Sequence, residues 1–214
     1  MYRIKSLLAS VVIAAVALTA IAPVTSAAIE SKGQIKSGKD GVSRIVGFSE
    51  NNRDRLDTLI AAVTCEQFGG DVVELVSNTD KITVFAPTNY AFRKLGRQLD
   101  ELLDLGLGRK GITAANVCAV DDLLGEGTLF SILGYHVFGE GKVWYKQAKA
   151  ARGAEIEMLT GELAKLTGKR DTVRIDGAKV VVKNIRSKNA IVHVINEVMI
   201  PPRIEEAIAT ALES

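Results

Sequence analysis

The sequence is poor in the residues that build disulfide or metal frameworks. Its 214 residues include only two cysteines and two histidines. Two cysteines are too few for a disulfide-dense miniprotein or for a four-cysteine zinc ribbon. Neither histidine belongs to a His-x-x-x-His pair or to an acidic–His spacing that would indicate a metal site. The sequence therefore predicts no bound metal and no cofactor.

The chain also carries little net charge. It has 27 Lys and Arg residues against 25 Asp and Glu residues, a formal charge of +2. Nucleic-acid-binding domains usually show a strong basic excess, so that function is not favoured. Hydrophobic residues make up 47% of the sequence and charged residues 24%, which excludes a disordered or fibrous chain. This length can bury a full core and fits one domain or two small ones. The sequence has no internal repeat and no second linker, which predicts a single domain.

The first 28 residues differ in composition from the rest. Arg3 and Lys5 are followed by an apolar run, Leu7–Ala22, and then by Pro23 and small residues up to Ala28. This is the pattern of a secretory signal peptide over residues 1–28, and a retained membrane anchor is the alternative. The pattern predicts an exported protein, periplasmic or extracellular, with no integral membrane association after cleavage.

Cleavage would change both the charge and the redox environment of the remaining chain. Arg3 and Lys5 account for the whole net charge, so the mature chain is formally neutral. Neutrality suggests that shape and hydrogen bonding matter more than bulk charge in its contacts. In an oxidising compartment Cys65 and Cys118 can form a disulfide, worth roughly 4 kcal/mol in the chain-entropy model. Two buried free thiols are the alternative.

Helical patterns dominate the first part of the remaining chain and strand patterns the second. Residues 29–43 are polar and rich in Gly, Ser and Lys, and they predict a flexible linker. Hydrophobic periodicity predicts helices at 52–68, 71–77, 100–107, 123–135 and 203–212. A strand is predicted at 81–86, and Thr88 or Asn89 can cap a further helix that follows it. Later strands are predicted at 155–159, 163–165, 172–175, 179–182 and 191–198. This order predicts an α+β domain with a largely antiparallel sheet.

A search for catalytic motifs finds one weak match. Gly106–Gly111 fits G-x-G-x-x-G, but it follows a Leu-rich helix rather than a strand, so a flexible loop is favoured over a dinucleotide site. His136 and His193 lie among apolar residues, which favours a core position over a ligand or general base. A Gly-x-Ser-x-Gly elbow is lacking, and no pair of carboxylates can be named. We therefore predict that the protein is not an enzyme.

Two segments are more distinctive and point to one family. Thr83–Phe92 reads TVFAPTNYAF, and Val192–Pro201 reads VHVINEVMIP. They strongly resemble the paired signature segments of fasciclin-like domains, and Tyr135-His136 resembles the central Tyr-His motif of that family. The resemblance spans about Ile45–Pro202. It assigns a fasciclin-like domain to residues 44–202, followed by a short C-terminal helix at 203–214.

The resemblance implies a fold in which a wedge of mostly antiparallel β-strands packs with an N-terminal cluster of helices. It also implies a non-enzymatic adhesion or extracellular-matrix module, with a cell-surface or matrix protein or a polysaccharide as partner. Tyr135, His136, Asn184 and Ile185 match positions that are linked to partner binding in some animal members. We interpret these four mainly as residues that hold the fold and secondarily as a partner surface. The alternative function is a carrier or binding protein for a small apolar ligand, such as a pigment or lipid, or for a polysaccharide.

The chain departs from the family pattern at several positions. Asn196 stands where Asp is usual, Ala190 replaces Gly, and Lys183–Ile185 lacks the acidic residue that usually precedes the isoleucine. The Gly-rich segment 105–122 looks like an insertion relative to short members. A bridge from Cys118 to Cys65 would pin this segment to the first helix.

Overall fold

The fold is taken from a computed structural model, which describes residues 45–49, 55–68 and 70–213. Residues 45–49 are helical. The expected signal peptide at 1–28 and linker at 29–43 lie outside the described residues. The helices that follow are α1 (Asp57–Val63), α2 (Asp71–Asn78), α3 (Asn89–Leu103), α4 (Val120–Leu124), α5 (Thr128–Gly134), α6 (Tyr145–Ala150) and α7 (Pro202–Glu213). Short 3₁₀ turns lie at Glu66–Phe68, Gly108–Lys110 and Val117–Ala119.

The strands form one mixed sheet in the described part of the chain. They are β1 (Ile82–Pro87), β2 (Val137–Phe138), β3 (Glu155–Glu157), β4 (Leu163–Thr167), β5 (Arg174–Ile175), β6 (Ala178–Arg186) and β7 (Ala190–Ile195). Their order is β2-β1-β7-β6-β5-β4-β3. Strands β1 and β7 run parallel, whereas every other neighbouring pair is antiparallel. The α+β class and the mostly antiparallel sheet are confirmed.

Strands β1 and β7 are buried along their whole length, because hydrophobic layers cover both faces of the sheet there. Val84 and Val192 belong to the core that the N-terminal helices build. Phe85 and Ile195 belong to a second core, which includes Tyr135 and residues of β4 and β5. Two-sided burial explains the nearly continuous apolar sequence of both strands. It also places both signature segments at the centre of the domain.

Several predicted element bounds were wrong for identifiable reasons. Helix α3 runs unbroken to Leu103, and Gly96 within it lets the backbone at Gly111 and Ile112 approach closely. The helix predicted at 123–135 is two helices, α4 and α5, separated by Gly125 and Gly127, which have positive φ angles of 106° and 79°. Helix α6 was not predicted at all.

Candidate partner-binding site

Tyr135, the first of the predicted partner-binding residues, is fully buried behind β1. Its hydroxyl oxygen lies 2.9 Å from the carbonyl oxygen of Leu163 and 3.1 Å from a carboxylate oxygen of Asp176. Burial, and after it the charge of Asp176, raises the pKa of Tyr135 well above its usual value. The neutral phenol therefore joins the end of α5 to the strand region at 163–176, and its ring is enclosed by the chain.

His136 is also buried, and both of its ring nitrogens bond to the main chain. Nδ1 lies 2.6 Å from the carbonyl oxygen of Ile132, and Nε2 lies 3.0 Å from the main-chain N–H of Met199. A carbonyl only accepts and an N–H only donates, so the proton is on Nδ1 and Nε2 is the acceptor. Burial lowers the pKa of His136 to about 4. This ring is a neutral link between α5 and the chain after β7.

Asn184 and Ile185 lie in an irregular part of β6. The register with β7 shifts between Val182 and Ile185, and Asn184 has a left-handed φ of 60°. Asparagine tolerates this conformation better than most residues. Its side-chain oxygen accepts a hydrogen bond of 2.9 Å from the main-chain N–H of Tyr145. Ile185 is half-buried and packs on the core that the N-terminal helices build. Asn184 and Ile185 thus contact other parts of the domain from the irregular part of β6.

Residues of β1 and β7 link the predicted pair Tyr135-His136 to the predicted pair Asn184-Ile185. The main-chain N–H of Phe85 donates to the carbonyl of His136 over 2.9 Å. The Phe85 ring stacks on His193, with 5.9 Å between the ring centres. His193 accepts at Nδ1 from the N–H of Asn184 and donates at Nε2 to the carbonyl of Val143. The structure thus relates Tyr135-His136 to Asn184-Ile185 through the interior rather than on one open surface.

Polar residues of the signature segments have similar internal partners. Thr83, in β1, donates to the carbonyl of Gly141 over 2.7 Å and accepts from the N–H of Val143 over 2.8 Å. Thr88 caps α3, and the side-chain oxygen of Asn89 accepts from the N–H of Thr58 in α1 over 2.9 Å. Asn196, which replaces the usual Asp, accepts from the N–H of Lys179. The amide oxygen of Asn196 is therefore the acceptor for the main-chain N–H of Lys179.

The structure joins Cys65 and Cys118 in a disulfide across a sequence separation of 53 residues. Gln67 adds a hydrogen bond of 3.1 Å to the carbonyl of Cys118. Together these contacts attach the segment 105–122 next to α1.

In the same segment the N–H groups of Leu107 and Gly108 donate to the Asp100 carboxylate over 2.7 and 2.8 Å. A carboxylate of the chain thus takes the N–H donors that a phosphate would take in a nucleotide-binding loop.

A small apolar cavity of about 40 Å³ lies between the helices and the sheet. Side chains of α1, α2 and β1 line it, together with Ile45, Leu133, His136 and Val137. Its wall is almost entirely hydrocarbon, and His136 is the one residue with a polar side chain in it. Among residues 45–49, 55–68 and 70–213, no group of three or more His, Cys, Asp or Glu side chains could hold a metal ion.

Comparison with known proteins agrees with this arrangement. The model of the Fasciclin domain family matches residues 54–201. The chain belongs to the fasciclin-domain family. Protein sll1483 of Synechocystis is 31% identical over 78% of this fasciclin-domain chain and 78% of its own length. Immunogenic protein MPB70 of Mycobacterium bovis is 29% identical, over 73% of this chain and 69% of its own.

Two larger proteins match this chain over part of their own length. Human periostin is 27% identical over 78% of this chain, which spans only 17% of periostin. A solved FAS1 domain pair from the insect cell adhesion molecule Fasciclin I has a TM-score of 0.54 at 11% identity. The match covers 77% of this chain and 52% of the insect chain, and it shows the fold.

Sequence reasoning about this fasciclin domain missed one surface feature. The rings of Trp144 and Tyr145 lie under the cationic groups of Arg186 and Lys183. The pairs join residues about forty positions apart, so local periodicity does not reveal them. The available signal was compositional: residues 142–188 contain twelve Lys and Arg residues against five Asp and Glu residues.

Proposed function

We propose that this protein is an exported, non-enzymatic adhesion or matrix-interaction module of the fasciclin-domain family. Its partners would be proteins or polysaccharides of a cell surface or an extracellular matrix. The observation that carries the proposal is the internal use of the motif side chains. Both histidines and Tyr135 are buried and bonded to other parts of the chain, which leaves recognition to the exposed surface.

The proteins that match this chain support an adhesive function for the domain. The insect protein that shares the fold is described as a cell adhesion molecule. Within the described residues, no helix is both long and apolar enough to span a membrane. Buried neutral imidazoles whose two nitrogens bind the main chain are poor general bases, because a base needs a free nitrogen within reach of substrate.

A binding experiment tests this function. The purified protein is immobilised on beads and incubated with cell-surface and matrix fractions of the source organism, beside beads that carry an unrelated protein of similar size. We expect saturable retention of a surface component and no new reducing ends or peptide termini in the fraction. Absence of saturable retention would contradict adhesion, and steady release of cleavage products would contradict a non-enzymatic role.

A second candidate function is transport of a small apolar ligand, and the cavity under α1 and α2 favours it. At about 40 Å³ the cavity holds less than the roughly 150 Å³ site that binds benzene in an engineered protein. A pigment or lipid would therefore require α1 and α2 to move away from β1. Native mass spectrometry and absorbance of protein purified from its source test this function. A clean apo mass would rule it out, and a Val76→Phe variant should lose any ligand found.

A further inference from the structure

Helix α6, the loop before it and β6 form a basic surface that contains two aromatic rings. We call the residues Lys142, Trp144, Tyr145, Lys149, Lys183 and Arg186 the basic aromatic face. The guanidinium carbon of Arg186 lies 4.7 Å from the centre of the Trp144 ring. The Nζ atom of Lys183 lies 4.8 Å from the centre of the Tyr145 ring. These cation–π contacts hold the cations of β6 against the start of α6.

Further contacts fix the remaining members of this face. Lys142 donates to the carbonyl oxygen of Lys188, just beyond the end of β6. Lys149 forms an ion pair with the exposed carboxylate of Asp171. The main-chain carbonyl oxygen of Asp171 also accepts a hydrogen bond from the Tyr145 hydroxyl. The cations therefore stand at defined positions before any partner arrives, which reduces the entropy lost on binding.

The face belongs to a segment of the chain whose positive charge the overall composition hides. Residues 142–188 carry a formal net charge of +7, from twelve basic and five acidic side chains, although the chain without Arg3 and Lys5 is neutral. Lys149, and to a lesser extent Lys183 and Arg152, lower the pKa of Asp171. Several cations thus act on one carboxylate at this place. The formal neutrality of the chain without Arg3 and Lys5 therefore does not extend to this segment.

We propose that the basic aromatic face binds an acidic polysaccharide, a chain of uronate or sulfated sugars. The inference rests on the proposed adhesive function and names the partner class for it. Carboxylate and sulfate groups form charge-assisted hydrogen bonds with ammonium and guanidinium groups, and arginine can bind them with two parallel bonds. Cations spread over α6 and β6 match the repeated charges along such a chain, while the partly exposed Trp144 and Tyr145 supply apolar contact.

Two other polyanions fit this face less well. Binding of single-stranded nucleic acid depends on ring faces that are open for stacking, and here Arg186 and Lys183 cover one face of each ring. Binding in a membrane interface depends on an apolar helix face that can enter the lipid. In α6 the apolar Ala148 is buried in the second core of the domain instead.

The test compares two charge-matched double variants of the purified protein. Lys183→Gln/Arg186→Gln removes one lysine and one arginine from the face. Arg109→Gln/Lys110→Gln removes the same charges from an exposed turn that packs on α3. Binding to immobilised polygalacturonate and heparin is measured at 50 mM and 500 mM NaCl, with dextran, phosphatidylglycerol vesicles and DNA as comparison probes. Circular dichroism establishes that both variants are folded.

We expect the wild type and the Arg109/Lys110 variant to bind at least one acidic polysaccharide at low salt and to release it at high salt. At about fivefold for each cation removed, the Lys183/Arg186 variant should bind roughly 25-fold more weakly. Equal losses in both variants, or equal or tighter binding to dextran, vesicles or DNA, would overturn the inference. If the surface fractions still bind the wild type but neither polysaccharide does, this inference fails while the adhesive function stands.

Discussion

Replacing His136 by glutamine should flatten the pH dependence of stability between pH 7 and pH 5. Where the unfolded chain binds more protons than the native chain, the free energy of unfolding rises with increasing pH and is lost on acidification. Burial lowers the pKa of native His136 to about 4, from an ordinary value of 6.5 that the unfolded chain restores. Since the folded pKa is the lower one, the contribution is complete above about pH 6.5 and is lost as the pH falls towards 4.

The size of this effect follows from the two pKa values. Proton linkage for one such histidine gives a loss of about 2 kcal/mol between pH 7 and pH 5. Burial also lowers the pKa of His193, which adds a loss of the same sign. Asp171, whose pKa is lowered, acts mainly below this range, and Glu205, whose pKa burial raises, acts in the opposite direction. The histidines should therefore dominate between pH 7 and pH 5.

Urea titrations at pH 7 and pH 5 measure the difference, with far-ultraviolet circular dichroism as the signal. The wild type should lose stability on acidification, and His136→Gln should lose about 2 kcal/mol less, whatever its stability at pH 7. His193→Gln is the matched control, because it keeps the His136 share of the loss. If His136→Gln loses as much stability as the wild type, His136 is not a neutral buried link and our assignment of its hydrogen bonds is wrong.

Three further perturbations test the contacts that hold the fold. Asn189→Ala removes a side-chain amide that donates to the carbonyls at the end of α2, 2.6 Å away at the nearest, and should cost about 1–3 kcal/mol in urea unfolding. Gly96→Ala would press a methyl group against the backbone nitrogen of Ile112 and should cost about 1–3 kcal/mol in urea unfolding. Gly141→Ala meets open space and should change the melting temperature little. Replacing Cys65 and Cys118 by serine should lower the free energy of unfolding by roughly 4 kcal/mol, and no loss would mean that the bridge does not restrict the unfolded chain.

The central strands and their caps could be read from the sequence because local chemistry determines them. The Pro87-Thr88-Asn89 sequence ends β1 and begins α3, since proline restricts the residue before it and Thr88 offers a capping oxygen. The continuous apolar character of 82–87 and 190–195 reflects strands with a hydrophobic layer on each face. The resemblance of the two signature segments then supplied the family and the general fold, a mostly antiparallel sheet packed with helices, but not the strand order.

The features that sequence reasoning missed depend on contacts between distant residues. Helix α6 begins where Asn184, far along the chain, accepts from the N–H of Tyr145, and where Gln147 accepts from the N–H of Trp144. The parallel pairing of β1 with β7 joins strands about 108 positions apart, from Ile82 opposite Ala190. The basic aromatic face has the same origin, because β6 brings its cations to rings on and beside α6. No pattern within a short window encodes such pairings.

We propose that the buried motif residues hold the fold and that the exposed surface performs recognition. A binding isotherm on the source organism's cell-surface fraction at pH 7, measured for the wild type and for folded His136→Gln, tests it most directly. We expect saturable binding by both proteins, with dissociation constants that agree within experimental error. No saturable binding by the wild type, or loss of binding by the folded variant, would contradict it.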